Sequence, residues 1–145
     1  MFDIGCVKPL VDTLRDFQVY QIICLEYEDT RLYAEVIQVA AARQTCWVRP
    51  LVLVVSSSSI TETELQLGYG DQTLQFYDLR QGADLLWPTK LFREALDTEV
   101  LPLLLQLESQ DHKADHQTAT LAARQRLQQF IHQVWQAHPG MFQAK

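Results

Sequence analysis

Lysine is scarce in this chain of 145 residues, limited to Lys8, Lys90, Lys113 and Lys145, and the twelve Lys and Arg together are outweighed by eighteen Asp and Glu. The formal net charge is -6. Binding to a polyanion needs clustered cations that release counterions from phosphates. No such cluster exists, which argues against broad nucleic-acid binding and against cationic attachment to an anionic membrane surface. Long apolar runs are missing too. The longest, Leu51 to Val55, falls far below the roughly 20 residues that cross a bilayer, so no membrane span is expected. The opening residues, Met1 to Cys6, carry an acid at Asp3 and have neither the basic start nor the apolar core of a secretory signal. A cytoplasmic protein is expected.

Cysteine is limited to Cys6, Cys24 and Cys46. An odd number at wide spacing is neither a disulfide framework nor a CxxC zinc knuckle, and the apolar neighbours of each suit buried, reduced thiols. Glycine and proline, five of each, form no linker, and the only low-complexity piece, Ser56 to Ser59, reads as a turn. What is present is ordinary for a folded protein: 48% apolar, 10% aromatic and 21% charged residues. One domain over residues 1–145 follows from the length.

From Val19 to Leu79, β-branched and aromatic residues recur between short polar stretches, the pattern of strands joined by hairpins. Five strands are predicted: Val19–Glu28, Arg31–Val39, Thr45–Val55, Ile60–Leu67 and Thr73–Leu79. A tight hairpin fits at Asp29-Thr30, and Gly68-Tyr69-Gly70-Asp71 turns the chain before the last strand. Pro50 cannot donate to a ladder, so the third strand is expected to bulge or to lie at an edge there. A meander of this length tends to curl and close, because an open flat sheet leaves long unpaired edges. The expected fold is α+β: a small five-stranded antiparallel β-barrel or curled meander over residues 19–80, with C-terminal helices packed on one opening or face.

Beyond Arg80 the period changes from two to about three and a half, making residues 81–145 a helical part. Thr89 is a candidate N-cap for a short helix over Lys90–Leu96. Asp97 is a candidate cap for a second piece carrying Val100, Leu101, Leu103, Leu104 and Leu105, which Pro102 should make start late or bend. So leucine-dense a segment is expected to be buried. The clearest signal runs from Ala119 to His138, where Ala123, Leu127, Phe130, Ile131, Val134 and Trp135 form one helical stripe opposite a glutamine-rich face. His138-Pro139-Gly140 ends it. Val7–Phe17 also suits a short helix with Pro9 in its first turn, giving an N-terminal helical segment over residues 1–18.

Candidate chemistry is thin. His112 and His116 lie four apart beside Asp111 and Asp115 and could share a divalent ion on a helix, but a third ligand is missing, so no metal is expected. All four histidines fall in the C-terminal third and no nucleophile motif accompanies the cysteines, so no catalytic residue is assigned. Carboxylate pairs occur at Glu26 with Glu28, Glu62 with Glu64, and Asp78 with Asp84. Glu26 and Glu28, two apart on a strand, could form a pair for acid/base chemistry, but they read more commonly as the wet side of a half-buried strand, forming an acidic patch with Asp29. Trp47 with Arg49, and Arg80 with Trp87, combine large area with a polar handle, as docking residues do. On strict alternation Trp47, Arg49, Leu51 and Leu53 share a face. Inside, Arg49 needs a buried carboxylate; outside, the row is an apolar patch open to a partner. The inward placement of Trp47 is preferred.

Seventeen glutamines against four lysines, together with the stretches LYAEVIQVAAARQTCWVRPLVLV (Leu32 to Val54) and DLRQGADLLWPTKLFREALDTEVLPLL (Asp78 to Leu104), resemble small uncharacterised cyanobacterial proteins. The resemblance implies a bacterial cytoplasm and a link to the photosynthetic apparatus, and carries over no functional residue. The leading expectation is a non-catalytic protein-binding module, an assembly or regulatory factor without a cofactor, docking through Trp47, Arg49, Arg80 and Trp87; homo-oligomerisation stays open. The alternative is a small-molecule binder or enzyme using the barrel mouth around Asp78, Arg80 and Asp84, which requires a pocket lined by those groups.

Overall fold

The structure, a computed structural model, describes residues 17–57, 73–110 and 116–141. The strand expected over residues 60–67, residues 7–16 of the N-terminal helix, Glu62 with Glu64, and His112 with Asp111 and Asp115 lie outside the described residues, as does the His116 side chain. Six strands build one antiparallel sheet: β1 (Ile22–Tyr27), β2 (Thr30–Ala40), β3 (Thr45–Ser57), β4 (Thr73–Asp78), β5 (Leu85–Pro88) and β6 (Arg93–Glu94). Two helices follow, α1 (Asp97–Gln110) and α2 (His116–Ala137). The fold is α+β.

β1 and β2 close a tight hairpin in which Tyr27 faces Thr30, and Glu28 takes the turn with φ 54. The longest strand, β3, is the spine. β2 pairs along one edge of it, while the other edge is shared: β5 pairs with Thr45–Val48 and β4 with Val52–Ser57. The strand order β4-β3-β2-β1-β6 ends at two different strands, so among the described residues the sheet is open and the expected barrel is not formed.

The reason lies in how the sheet is covered. Ile23, Leu25, Leu32, Ala34, Val36, Val48, Leu53 and Val55 cluster with Ala123, Leu127, Phe130 and Val134 of α2. Their strand neighbours Cys24, Tyr33, Val52 and Val54 cluster instead with Leu107 of α1. The helices therefore lie on opposite faces rather than together on one opening, and the sheet is the middle of three layers. A sheet buried on both sides has no empty interior to close around.

The discontinuity expected at Pro50 is present. Ala34 pairs with Pro50 and Tyr33 with Val52, so Leu51 is the extra residue of a bulge. The bulge reverses the alternation: Val52 and Val54, not Leu53, continue the face of Trp47 and Arg49. Trp47 is 42% exposed and lies on the α1 side beyond that helix's cover, so the inward placement does not hold.

Four further expectations give way. Lys90–Leu96 is not a helix; a single 3-10 turn, Thr89–Leu91, joins β5 to β6, because Trp87 and Phe92 are drawn into the α2-side core on strand-like backbone. α1 starts at Asp97 in spite of Pro102, so Leu96 occupies the cap position. Its leucines are not all buried: Val100 and Leu107 are, whereas Leu101, Leu104 and Leu105 are exposed. In α2 Ala123, Leu127, Phe130 and Val134 of the stripe are buried and Ile131 is half-buried, but Trp135 is 55% exposed.

Trp87 is 7% exposed and packs within the main core. Trp87→Ala is expected to cost about 3–5 kcal/mol, read as a lowered thermal midpoint, whereas Trp135→Ala on the outer face of α2 should cost no more than about 1 kcal/mol.

Candidate functional site

Where α1 meets the sheet, five side chains from four elements close a ring of polar contacts. Arg93 of β6 donates from Nη1 to Glu99 Oε2 at 3.0 Å and from Nη2 to Glu99 Oε1 at 3.1 Å, a bidentate pair with α1. Its Nε donates to Glu26 Oε1 of β1 at 2.7 Å. The other oxygen of Glu26 lies 3.3 Å from Arg31 Nε of β2, and Arg31 interacts electrostatically with the Tyr33 side chain. Tyr33 completes the circuit by donating to Glu99 Oε1 at 2.6 Å. Two cations, two anions and one hydroxyl thus balance within the ring.

Glu99 also accepts the backbone N–H of Leu96 at 2.9 Å, the return half of a capping box with leucine where serine or threonine normally stands. The Arg93 guanidinium, helped by the Tyr33 hydroxyl and that N–H, holds the Glu99 carboxyl down to about 2 in spite of its burial. Burial, with the hydrogen bond to Glu99, pushes the Tyr33 phenol up. A carboxylate so hard to protonate is a poor general base, and a phenol so hard to ionise is a poor nucleophile. The ring is built to hold α1 in place.

Beside it opens a cleft of about 340 Å³ between α1, β2, β3 and β4. Asp29, Arg31, Tyr33 and Glu99 form its polar end, and Val54, Leu74, Phe76, Pro102 and Leu103 contribute apolar wall. Its size suits a small molecule or one large side chain of a partner.

The residues singled out from the sequence fall into three groups. Trp47 Nε1 donates to Asp84 Oδ2 at 2.9 Å, and Arg49 Nε reaches Asp84 Oδ1 at 3.3 Å, so the carboxylate sought for Arg49 is Asp84, at the surface rather than in a core. Leu86, also exposed, sits opposite Trp47 on β5. Asp78 accepts from Arg80 through its backbone N–H, Nε and Nη2 at 3.0, 2.9 and 2.7 Å, and Arg80 Nη2 also reaches the Leu107 carbonyl of α1 at 3.4 Å. Asp78, Arg80 and Asp84 do not converge on one mouth: Asp84 serves Trp47 and Arg49, Asp78 serves Arg80, and none of the three lines the cleft. Trp87, buried in the core, is removed from the docking set. Glu26 belongs to the ring, while Glu28 stands on the hairpin turn, so they form no acid-base pair.

The ring and the cleft escaped sequence reading because Glu26 and Arg93 are 67 positions apart, and only the fold brings them together. Glu99, third residue of α1, was the one local signal. Among the described residues no group of three or more His, Cys, Asp or Glu side chains is placed to hold a metal ion. Burial pushes the Cys24 thiol up to about 12 and the Cys46 thiol up to about 11, leaving neither as a ready thiolate. No family model, curated protein or solved structure matches the chain.

Because Glu99 is held below its ordinary value of 4.5, its contribution to stability is complete above that pH and is lost as pH falls toward 2. Amide protection factors in α1 should drop across that interval more than those in α2, and Glu99→Gln should flatten the difference. Equal pH dependence of the two helices would argue against the ring as the anchor of α1. Cys24 and Cys46 should resist alkylation at pH 8 in the folded protein and react fully in urea, as mapped by peptide mass spectrometry.

Proposed function

We propose that this chain is a non-catalytic protein-binding module, an assembly or regulatory factor that docks through the side of the sheet on which α1 lies. The observation that carries the reading is the outer surface of α1. Leu101 is 60% exposed and Leu105 67% exposed, one turn apart on the helix with Leu104 at their flank, although Val100, Leu103 and Leu107 already supply the contact with the sheet. Exposed leucines at i, i+3 and i+4 are the arrangement by which one helix receives another. The cleft runs beside them through Pro102 and Leu103, with volume enough for an anchoring side chain. Trp47 and Leu86 extend apolar surface on the same side of the sheet, with Arg49 and Asp84 as their polar handle. Arg80 has a supporting part, tying Asp78 to the end of α1. The cyanobacterial resemblance of Leu32–Val54 and Asp78–Leu104 suggests the photosynthetic apparatus of a bacterial cytoplasm as the setting in which to look for the partner.

A second reading, a small amphiphilic ligand, is favoured by the cleft itself, with its polar end at Arg31, Tyr33 and Glu99; it replaces the barrel-mouth site. The two readings separate by substitution. L101S/L105S removes the outer leucines without touching the cleft wall, and Leu103→Arg fills the cleft. If docking is right, L101S/L105S used as bait should retain the wild-type partners at least roughly tenfold less, since two hot-spot leucines are lost, with the thermal midpoint unchanged. Retention unaffected by L101S/L105S would refute the reading.

A further inference from the structure

We infer that the occupant of the α1 surface is an amphipathic helix whose apolar row is bracketed by lysine or arginine, an inference that rests on the docking reading above. Asp97, Leu101, Leu105 and Glu108 fall at i, i+4, i+8 and i+11, all exposed, so the leucine ridge carries an acid at each end. The acids stand about 16 Å apart along the axis at 1.5 Å rise per residue. No basic residue occurs anywhere in α1. The nearest arginines are committed: Arg93 to Glu26 and Glu99, and Arg80 to Asp78. The partial negative charge of the helix C-terminus adds to that of Glu108, and the partial positive charge of the N-terminus offsets part of that of Asp97, whose carboxylate nonetheless stays exposed.

This symmetry of sign selects the occupant. A second copy of α1 laid antiparallel would set Asp97 against Glu108 twice, and laid parallel would set each acid against itself. Either arrangement juxtaposes like charges at both ends of the contact. An anionic lipid surface meets the same repulsion. A partner helix with leucine-like side chains on one face and cations about three turns apart satisfies the ridge and both acids at once.

The test uses the full chain and two fluorescein-labelled amphipathic peptides of about 18 residues, long enough to form a helix on the surface. They are identical in their leucine row and carry either lysine or glutamate at both ends. Fluorescence anisotropy should show the lysine peptide binding roughly tenfold more tightly at low salt, with the gap narrowing as salt rises, as expected for rim charge pairs. D97N/E108Q should bring the two peptides to within about twofold, and L101S/L105S should abolish binding of both. Equal binding of the peptides that L101S/L105S abolishes overturns the charge selectivity and leaves the docking reading standing. Binding of the lysine peptide that survives L101S/L105S overturns the ridge as the site, and absence of binding by either peptide overturns both readings. Sedimentation should show a monomer; a dimer dissociated by L101S/L105S assigns the ridge to a second copy and overturns the proposal. Circular dichroism melts of each variant, expected to match the wild type, separate lost binding from lost folding.

Discussion

The bidentate contact between Arg93 and Glu99 fixes the rest of this architecture. Arg93 comes from a strand of only two residues and Glu99 from the first turn of a helix, two pieces of chain with little packing of their own. Their pairing, extended through Glu26, Arg31 and Tyr33, holds the beginning of α1 to three strands at once. A charge network of this kind is costly to assemble unless every member is satisfied. Here Glu99 accepts from an arginine, a tyrosine and a backbone amide, so its desolvation is offset. Because the start of α1 is set by polar geometry, its sheet-facing residues need only fill space, and its outer residues are released from holding the helix down.

The sheet works by a different rule. Where the helices cover them its middle strands are buried on both sides, and the two sets of buried side chains are sorted by the pleat into one cluster under α2 and another under α1. The sorting survives the proline in β3 because the bulge at Leu51 re-phases the strand just where β5 ends as a neighbour and β4 begins. Trp47 and Val52 thereby share a side although they are an odd number of positions apart.

The sequence announced several of these features. The β1–β2 hairpin, the strand through Pro50 with its irregularity, the start of β4 and the long C-terminal helix with its buried stripe all follow from period and turn chemistry, because each is decided by neighbours in the chain. The error about closure was also decidable: the unbroken apolar run Leu51–Val55 speaks for cover on two sides, whereas a small barrel needs alternation. β5 and β6 were hidden because short strands leave no period to read, and Trp87-Pro88-Thr89 resembles a helix start as much as a strand end. The site was least legible. Docking residues were chosen by type, and type does not tell a tryptophan in the core, Trp87, from one at the surface, Trp47. The leucines of α1 were assigned to the interior by composition, and only the position of the sheet reveals that three of the five face water.

The extra residue in β3 has a consequence for how such a protein can diverge. Loss of Leu51 alone would leave Pro50 and Val52 opposite the consecutive residues Ala34 and Tyr33 and keep Val52 and Val54 on the α1 side, so β3 can shorten by one residue there without turning over. A change of length in β3 is therefore absorbed most readily where an unpaired residue already stands, whereas elsewhere along the paired stretch it would set one set of side chains against the wrong buried cluster.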